Sequence, residues 1–125
     1  MSGRTLNNGS ACSPPRAVRH ARAGLTVRVD DRAGYSVVRL SGELDLLTRP
    51  LLGEACAPLL ARGKTRIVID VAELAFCDCS GLNALIDQQH AVRRHGGALL
   101  LTGVHGTLAR LLSITGTADT FPEGP

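Results

Sequence analysis

Between Leu25 and Leu40 apolar residues recur with a strand's period. Leu25, Val27 and Val29 alternate with polar neighbours, which places one apolar face on an extended segment. Residues 30–34 (DDRAG) form a turn cluster, and the β-branched SVVRL of residues 36–40 centres a second strand. The pair predicts an antiparallel hairpin ended by Ser41-Gly42. The period then changes. Thr48 is placed to cap a helix and Pro50 falls in its first turn, where a missing N–H costs nothing. Leu52, Ala55, Cys56, Leu59 and Leu60 follow at helical spacing, and Gly63 stops the run. Pro58 inside it removes a hydrogen bond and clashes with the preceding turn, costing about 3 kcal/mol, so a kink or an early end is expected.

Residues 66–71 (RIVIDV) are an almost continuous apolar run, the pattern of a strand buried on both faces of a parallel sheet. A second helix carries Leu82, Leu85, Ile86 and Val92 on one face and ends at Gly96-Gly97. Residues 98–102 (ALLLT) read as another buried strand. Residues 107–113 read as a short helix with Leu108, Leu111 and Leu112 inward and Gly116 behind it, and Phe121 is expected in a last short strand. This order specifies an α/β layer with a mixed sheet.

Before Gly24 the pattern is absent. Residues 1–23 are polar, contain Pro14-Pro15 and predict a disordered basic N-terminal tail, leaving 24–125 as one domain. Charge sharpens the division. The chain's net charge is +3, yet Arg4, Arg16, Arg19 and Arg22 stand in the first 24 residues without an acid, and the rest carries 10 basic against 11 acidic side chains. A basic nucleic-acid surface on the body is therefore not expected. Aromatic residues are only 2% of the chain, so the core must be aliphatic and the stacking platforms of single-strand binders are missing. Cys12, Cys56, Cys77 and Cys79 form no disulfide framework. No signal peptide and no bilayer-spanning run is read, so a cytoplasmic protein with free thiols and no membrane contact is expected.

The chemistry concentrates in FCDCSGL, residues 76–82. A structural zinc site needs four ligands, usually with two to four residues between close pairs, and Cys77-x-Cys79 offers two thiolates one residue apart. A cysteine nucleophile at Cys79 would be favoured by a helix N-terminus but has no evident base. A hydrolase serine would need G-x-S-x-G, and Asp78 stands where the first glycine belongs. No phosphate-cradling glycine loop, no metal site and no cofactor is read. Ser80 remains, at a strand-to-helix junction. It is placed to act as the helix N-cap, and the same position tolerates an added phosphate, because a helix N-terminus favours anions.

GELD at residues 42–45, RIVIDVAELAFCDCSGLNAL at 66–85, HGGALLLTGV at 95–104 and LARLLSITG at 108–116, in this order, resemble the STAS domain of bacterial anti-sigma factor antagonists. The resemblance runs from about Leu25 to Phe121. It implies a mixed sheet, an N-terminal hairpin plus parallel strands, covered by helices on one face. It implies a non-enzymatic regulator of transcription. Unphosphorylated, the protein would bind an anti-sigma factor that is also a serine kinase and release a sigma factor. Phosphorylation of Ser80 would switch binding off, and a PPM-type serine phosphatase would restore it. Glu43, Asp45, Asp78, Cys79, Gly81 and Leu82 would frame the partner-binding face. The alternative is an unphosphorylated STAS scaffold or ligand-binding module of a sensory complex. Cys79 stands where the family often has Ser or Thr, leaving Ser80 as the motif's acceptor hydroxyl. Pro58 lies in the usual docking neighbourhood. The chain ends where the family's last helix would begin, so that helix is expected to be missing and a monomer or weak homodimer is expected.

Overall fold

The structure, a computed structural model, describes residues 16–22 and 24–121. The described elements in chain order are β1 (Arg16–Arg22), β2 (Leu25–Arg32), β3 (Tyr35–Leu44), α1 (Arg49–Ala61), β4 (Arg66–Cys77), α2 (Cys79–Arg94), β5 (Ala98–Thr102) and α3 (Gly106–Thr115). A 3-10 turn, Ala118–Thr120, follows. The strands form one sheet in sequence order. β1, β2 and β3 are antiparallel neighbours, and β3, β4 and β5 run parallel. The α/β mixed sheet with helices on one face, as anticipated from the sequence, is the architecture observed.

The core lies between the sheet and the helices. Val27, Val29, Val38, Leu40, Ile67, Ile69, Leu99 and Leu101 from the strands meet Leu52, Leu59, Leu85 and Val92 from α1 and α2. These are aliphatic side chains that each contribute about 1.5–3 kcal/mol on full burial. Among the described residues, no element covers the other sheet face. Val68 and Leu100 on that face are only half-buried, so the expectation that RIVIDV and ALLLT are buried on both faces is corrected. Their continuous apolar run reflects a shallow outer floor, not a second helix layer.

Other boundaries also differ from expectation. Residues 16–22, assigned to a disordered tail, are β1, the edge strand among the described residues, in register with β2 from Arg16↔Asp31 to Arg22↔Leu25. A strand held by a backbone ladder on one side can form with little apolar alternation, so little in the sequence marks it. Gly24, at φ 100°, lies in the tight connection to β2. Residues 1–15 of that tail lie outside the described residues.

β3 does not stop at Ser41-Gly42. It runs on to Leu44 through register shifts between Arg39 and Ser41 and between Gly42 and Glu43. Gly42 makes this possible: its φ is 109°, and a Cβ there would sit 2.0 Å from the Gly24 carbonyl oxygen. α1 neither stops at Pro58 nor needs Thr48 as a side-chain cap. Pro58 is exposed while Ala55, Cys56 and Leu59 around it are buried, and packing on both sides carries the helix past the missing bond. Phe121 is buried but follows the 3-10 turn in no strand. No described helix is long and apolar enough to cross a membrane.

Candidate functional site

The parallel pair β3–β4 brings the two acidic stretches together. Glu43 lies opposite Phe76 and Leu44 opposite Cys77, and the Asp78 N–H donates to the Leu44 carbonyl at 3.3 Å. GELD and FCDCSGL therefore end side by side at the carboxyl edge of the sheet, where open α/β sheets place their sites.

Asp78, not Ser80, is the N-cap of α2. Its backbone is extended, and its Oδ1 accepts from the Gly81 N–H at 2.8 Å. Its carbonyl then accepts from Leu82 N–H at 2.9 Å. This corrects the capping role expected of Ser80, and the reason is geometric: the helix begins at Cys79, so Ser80 already lies inside its first turn. Ser80 is half-buried, and among the described residues its hydroxyl takes no hydrogen bond. The motif thus separates two jobs, with an aspartate closing the helix and a serine hydroxyl left over beside it.

Gly81 explains how the helix can start there. A Cβ at Gly81 would lie 2.4 Å from the Leu44 carbonyl oxygen and 2.9 Å from both Cys77 Sγ and Leu44 Cγ. Leu82 is buried in the core behind it. Of the residues expected to face a partner, Glu43 and Cys79 are exposed and Asp45 and Asp78 are half-buried, whereas Gly81 and Leu82 point inward. Asp45 also has internal duty. Its Oδ1 accepts from Leu47 N–H at 3.0 Å and Thr48 N–H at 3.1 Å. The buried Thr48 hydroxyl donates to the Glu43 carbonyl at 2.9 Å and accepts from Asp45 N–H at 2.9 Å. Thr48 therefore braces the GELD loop instead of capping α1 through its side chain.

Sequence reasoning missed the apolar part of this edge. Leu46 and Leu47 in the braced loop are 64% and 74% exposed, and Ile114 on α3 is 73% exposed. A trough of about 290 Å³ runs between the motif and α3, lined by Phe76, Asp78, Cys79, Arg110, Leu111 and Ile114 among others. The pattern gave little signal: Ile114 follows Leu111, and Leu47 precedes Leu51, at helical spacing, so periodicity alone does not mark them as exposed. α3 is tied to β4 by Cys77 N–H donating to Thr107 Oγ1 at 2.9 Å and by a His105 ring nitrogen donating to the Ala72 carbonyl at 2.8 Å.

The thiols differ sharply. Burial pushes Cys56 up to about 12, and burial, with Asp78 and Cys79 adding to it, pushes Cys77 up to about 12. Both are small apolar groups at neutral pH. Cys79 is exposed.

A family model described as "Mlab, STAS domain" matches residues 27–122. The chain belongs to the STAS domain family. Within it, the chain is 30% identical over 94 residues to an anti-sigma-B factor antagonist of Staphylococcus epidermidis, covering 75% of this chain and 84% of that protein. The crystal structure of an anti-sigma factor antagonist from Mycobacterium paratuberculosis superposes with a TM-score of 0.71 at 31% identity, covering 81% of this chain and 86% of that one. The Bacillus cell fate determinant SpoIIAA in its phosphorylated form shares the fold, with a TM-score of 0.64 at 19% identity, over 79% of this chain and 91% of that one. In this STAS domain the acidic loop, the capping aspartate and the spare serine hydroxyl lie on one edge of the sheet.

Proposed function

We propose that this STAS domain is an anti-sigma factor antagonist, a cytoplasmic non-enzymatic protein whose docking on an anti-sigma serine kinase is ended by phosphorylation of Ser80. The observation that carries this reading is the division of labour in the motif. Asp78 caps α2, and Ser80 Oγ stands half-exposed in the first turn with no bond to surrender among the described residues. Transfer from ATP would form a bond between Ser80 Oγ and the γ-phosphorus, break that phosphorus's bond to the β-phosphate bridging oxygen, and release ADP and a proton. The product adds about −1.5 to −2 charge at the positive end of a helix, which the fold tolerates. The same charge falls beside Glu43, Asp45 and Asp78. Acidic partner groups brought against it would meet like charge, at a cost of several kcal/mol. Binding can thus be lost without any rearrangement of the chain. Leu46, Leu47 and the trough at Ile114 supply the apolar area that such an interface needs.

The test is phosphorylation with ATP and an anti-sigma serine kinase, read by mass. One phosphate on wild type and none on Ser80→Ala is expected. No phosphate on wild type, or equal phosphate on Ser80→Ala, overturns the proposal. Ser80→Asp should lose the kinase in a pull-down; unchanged binding would point to a scaffold for which Ser80 is silent. A PPM-type phosphatase should return the phosphorylated form to the binding state.

A further inference from the structure

The uncovered face of the sheet gathers charge that the sequence had scattered. Directly paired residues in neighbouring strands share a face. Arg19 of β1 pairs with Arg28 of β2, and Arg28 pairs with Arg39 of β3. All three are exposed, so a row of three guanidinium groups crosses three adjacent strands. Like charges directly opposed across strands destabilise a sheet. Arg39 is answered by Asp30 at 2.6 Å and Asp70 at 3.5 Å. Neither Arg19 nor Arg28 has an ion pair among the described residues. Arg32, next outward on β2 beyond Asp30, and Arg66 on β4 are exposed on the same face.

Beside this row lies a shallow trough of about 450 Å³, with Val37, Val68 and Leu100 as its floor, Tyr35 and Arg66 on its walls, and the paired Arg39 and Asp70 also lining it, so that its one carboxylate is already answered. Other occupants fit poorly. A second copy laid face to face would set arginine row against arginine row. A lipid surface or a nucleic acid duplex would meet the arginines but would leave the recessed aliphatic floor unfilled, and the one tyrosine gives no stacking series for single strands. An extended or helical peptide with apolar residues on one side and carboxylates on the other meets both features.

We propose that the open sheet face is a docking groove for an acidic, amphipathic peptide segment of a partner protein, separate from the Ser80 edge. Apolar side chains of the segment lie on Val37, Val68 and Leu100. Its carboxylates meet Arg28, Arg32 and Arg66, with Arg19 extending the row. The arrangement makes the face a site where repulsion retained in the free protein is relieved on binding.

The probe is a synthetic helical peptide with glutamates on one side and leucines on the other, titrated by fluorescence anisotropy against the full chain. Its Glu→Gln counterpart, vesicles with anionic phosphatidylglycerol and a DNA duplex are run in parallel. The acidic peptide is expected to bind, at least tenfold better than its Glu→Gln form, and to weaken as salt rises. Arg28→Glu and Arg66→Glu should each weaken it at least tenfold. Arg28→Glu should also raise the thermal midpoint, because it turns two like-charge cross-strand pairs, with Arg19 and with Arg39, into opposite-charge pairs, so lost binding cannot be blamed on lost fold. No peptide binding, binding indifferent to both substitutions, or tighter binding to vesicles or duplex than to the peptide overturns the proposal. Phosphate uptake at Ser80 should be unchanged in both variants, so this result stands apart from the switch.

Discussion

Gly81 decides how closely α2 approaches β3. Alanine is ordinarily the better helix residue by up to about 1 kcal/mol. Here its Cβ would sit 2.4 Å from the Leu44 carbonyl oxygen, part of the sheet backbone, and an overpacked site costs typically about 1–3 kcal/mol. The clash wins. Gly81→Ala should lower the urea midpoint and, by displacing the first turn, slow phosphate transfer to Ser80 in a kinase assay. Asp78 gives a contrasting case. Asp78→Ala loses the bond to Gly81 N–H and should destabilise by about 1 kcal/mol, whereas Asp78→Asn keeps an acceptor and should stay near wild type in the same urea titration. The cysteines separate by burial. In a Cys12→Ser background, brief treatment with N-ethylmaleimide at neutral pH should add one label, at Cys79, by peptide mass. Cys56 and Cys77, both pushed up to about 12 by burial, should react only in denaturant. The sequence pointed to this stretch by its motif, but it assigned the cap to Ser80 where the structure has Asp78. Both are good caps, and the choice depends on where the helix begins, which the packing of Gly81 on Leu44 determines.

At the scale of elements, strongly periodic segments were legible and edges were not. β2, α2 and β5 follow apolar spacing set by the core. β1 does not, because what orders it is a backbone ladder to β2. Gln89 shows a related limit. On the polar-looking stretch DQQH it reads as a solvated residue, yet it is fully buried. Its Nε2 donates to the Leu99 carbonyl at 3.0 Å and the Thr120 carbonyl at 2.6 Å, and its Oε1 accepts from Leu99 N–H at 3.0 Å. One side chain thus occupies backbone groups of β5 that β4 does not use, and fastens the turn that precedes the buried Phe121. Gln89→Leu fills similar space but strands these groups. Each unsatisfied buried group costs about 1–3 kcal/mol, so a loss of roughly 3–5 kcal/mol is expected in urea unfolding. Hydrogen exchange should place the loosening in β5 and residues 116–121 first, with the hairpin β2–β3 still protected. Uniform loss of protection would show instead that Gln89 holds the whole domain.

Across the whole molecule, charge pairs on the two faces serve different ends. On the open face Arg39 is balanced and its neighbours are not. On the helix side Asp31 clamps the far end of α1 to the sheet, with Arg62 at 2.6 Å and Lys64 at 3.2 Å. Ser36 adds a bond at 3.2 Å. Desolvation works to raise the Asp31 carboxyl, but the bonds from Arg62, Lys64 and Ser36 outweigh it and hold the group below the ordinary carboxylate value. In the unfolded chain Asp31 returns to about 3.9. Between the two values the unfolded state binds more protons, so stability rises with pH there. The contribution is fully present above the unfolded value and is lost as pH falls through the folded one. Urea midpoints measured from neutral pH down to about pH 2 should fall below pH 4 in wild type. Asp31→Asn should start lower at neutral pH and decline less steeply, so that the two curves converge in acid. Parallel curves would mean that the clamp contributes nothing specific and that other carboxylates govern acid unfolding. Convergence would assign to one aspartate the fastening between the end of α1 and the hairpin. The Ser80 edge lies at the opposite end of the parallel strands, so phosphorylation, whose own titration falls at about pH 6, should leave the decline below about pH 4 unchanged in shape.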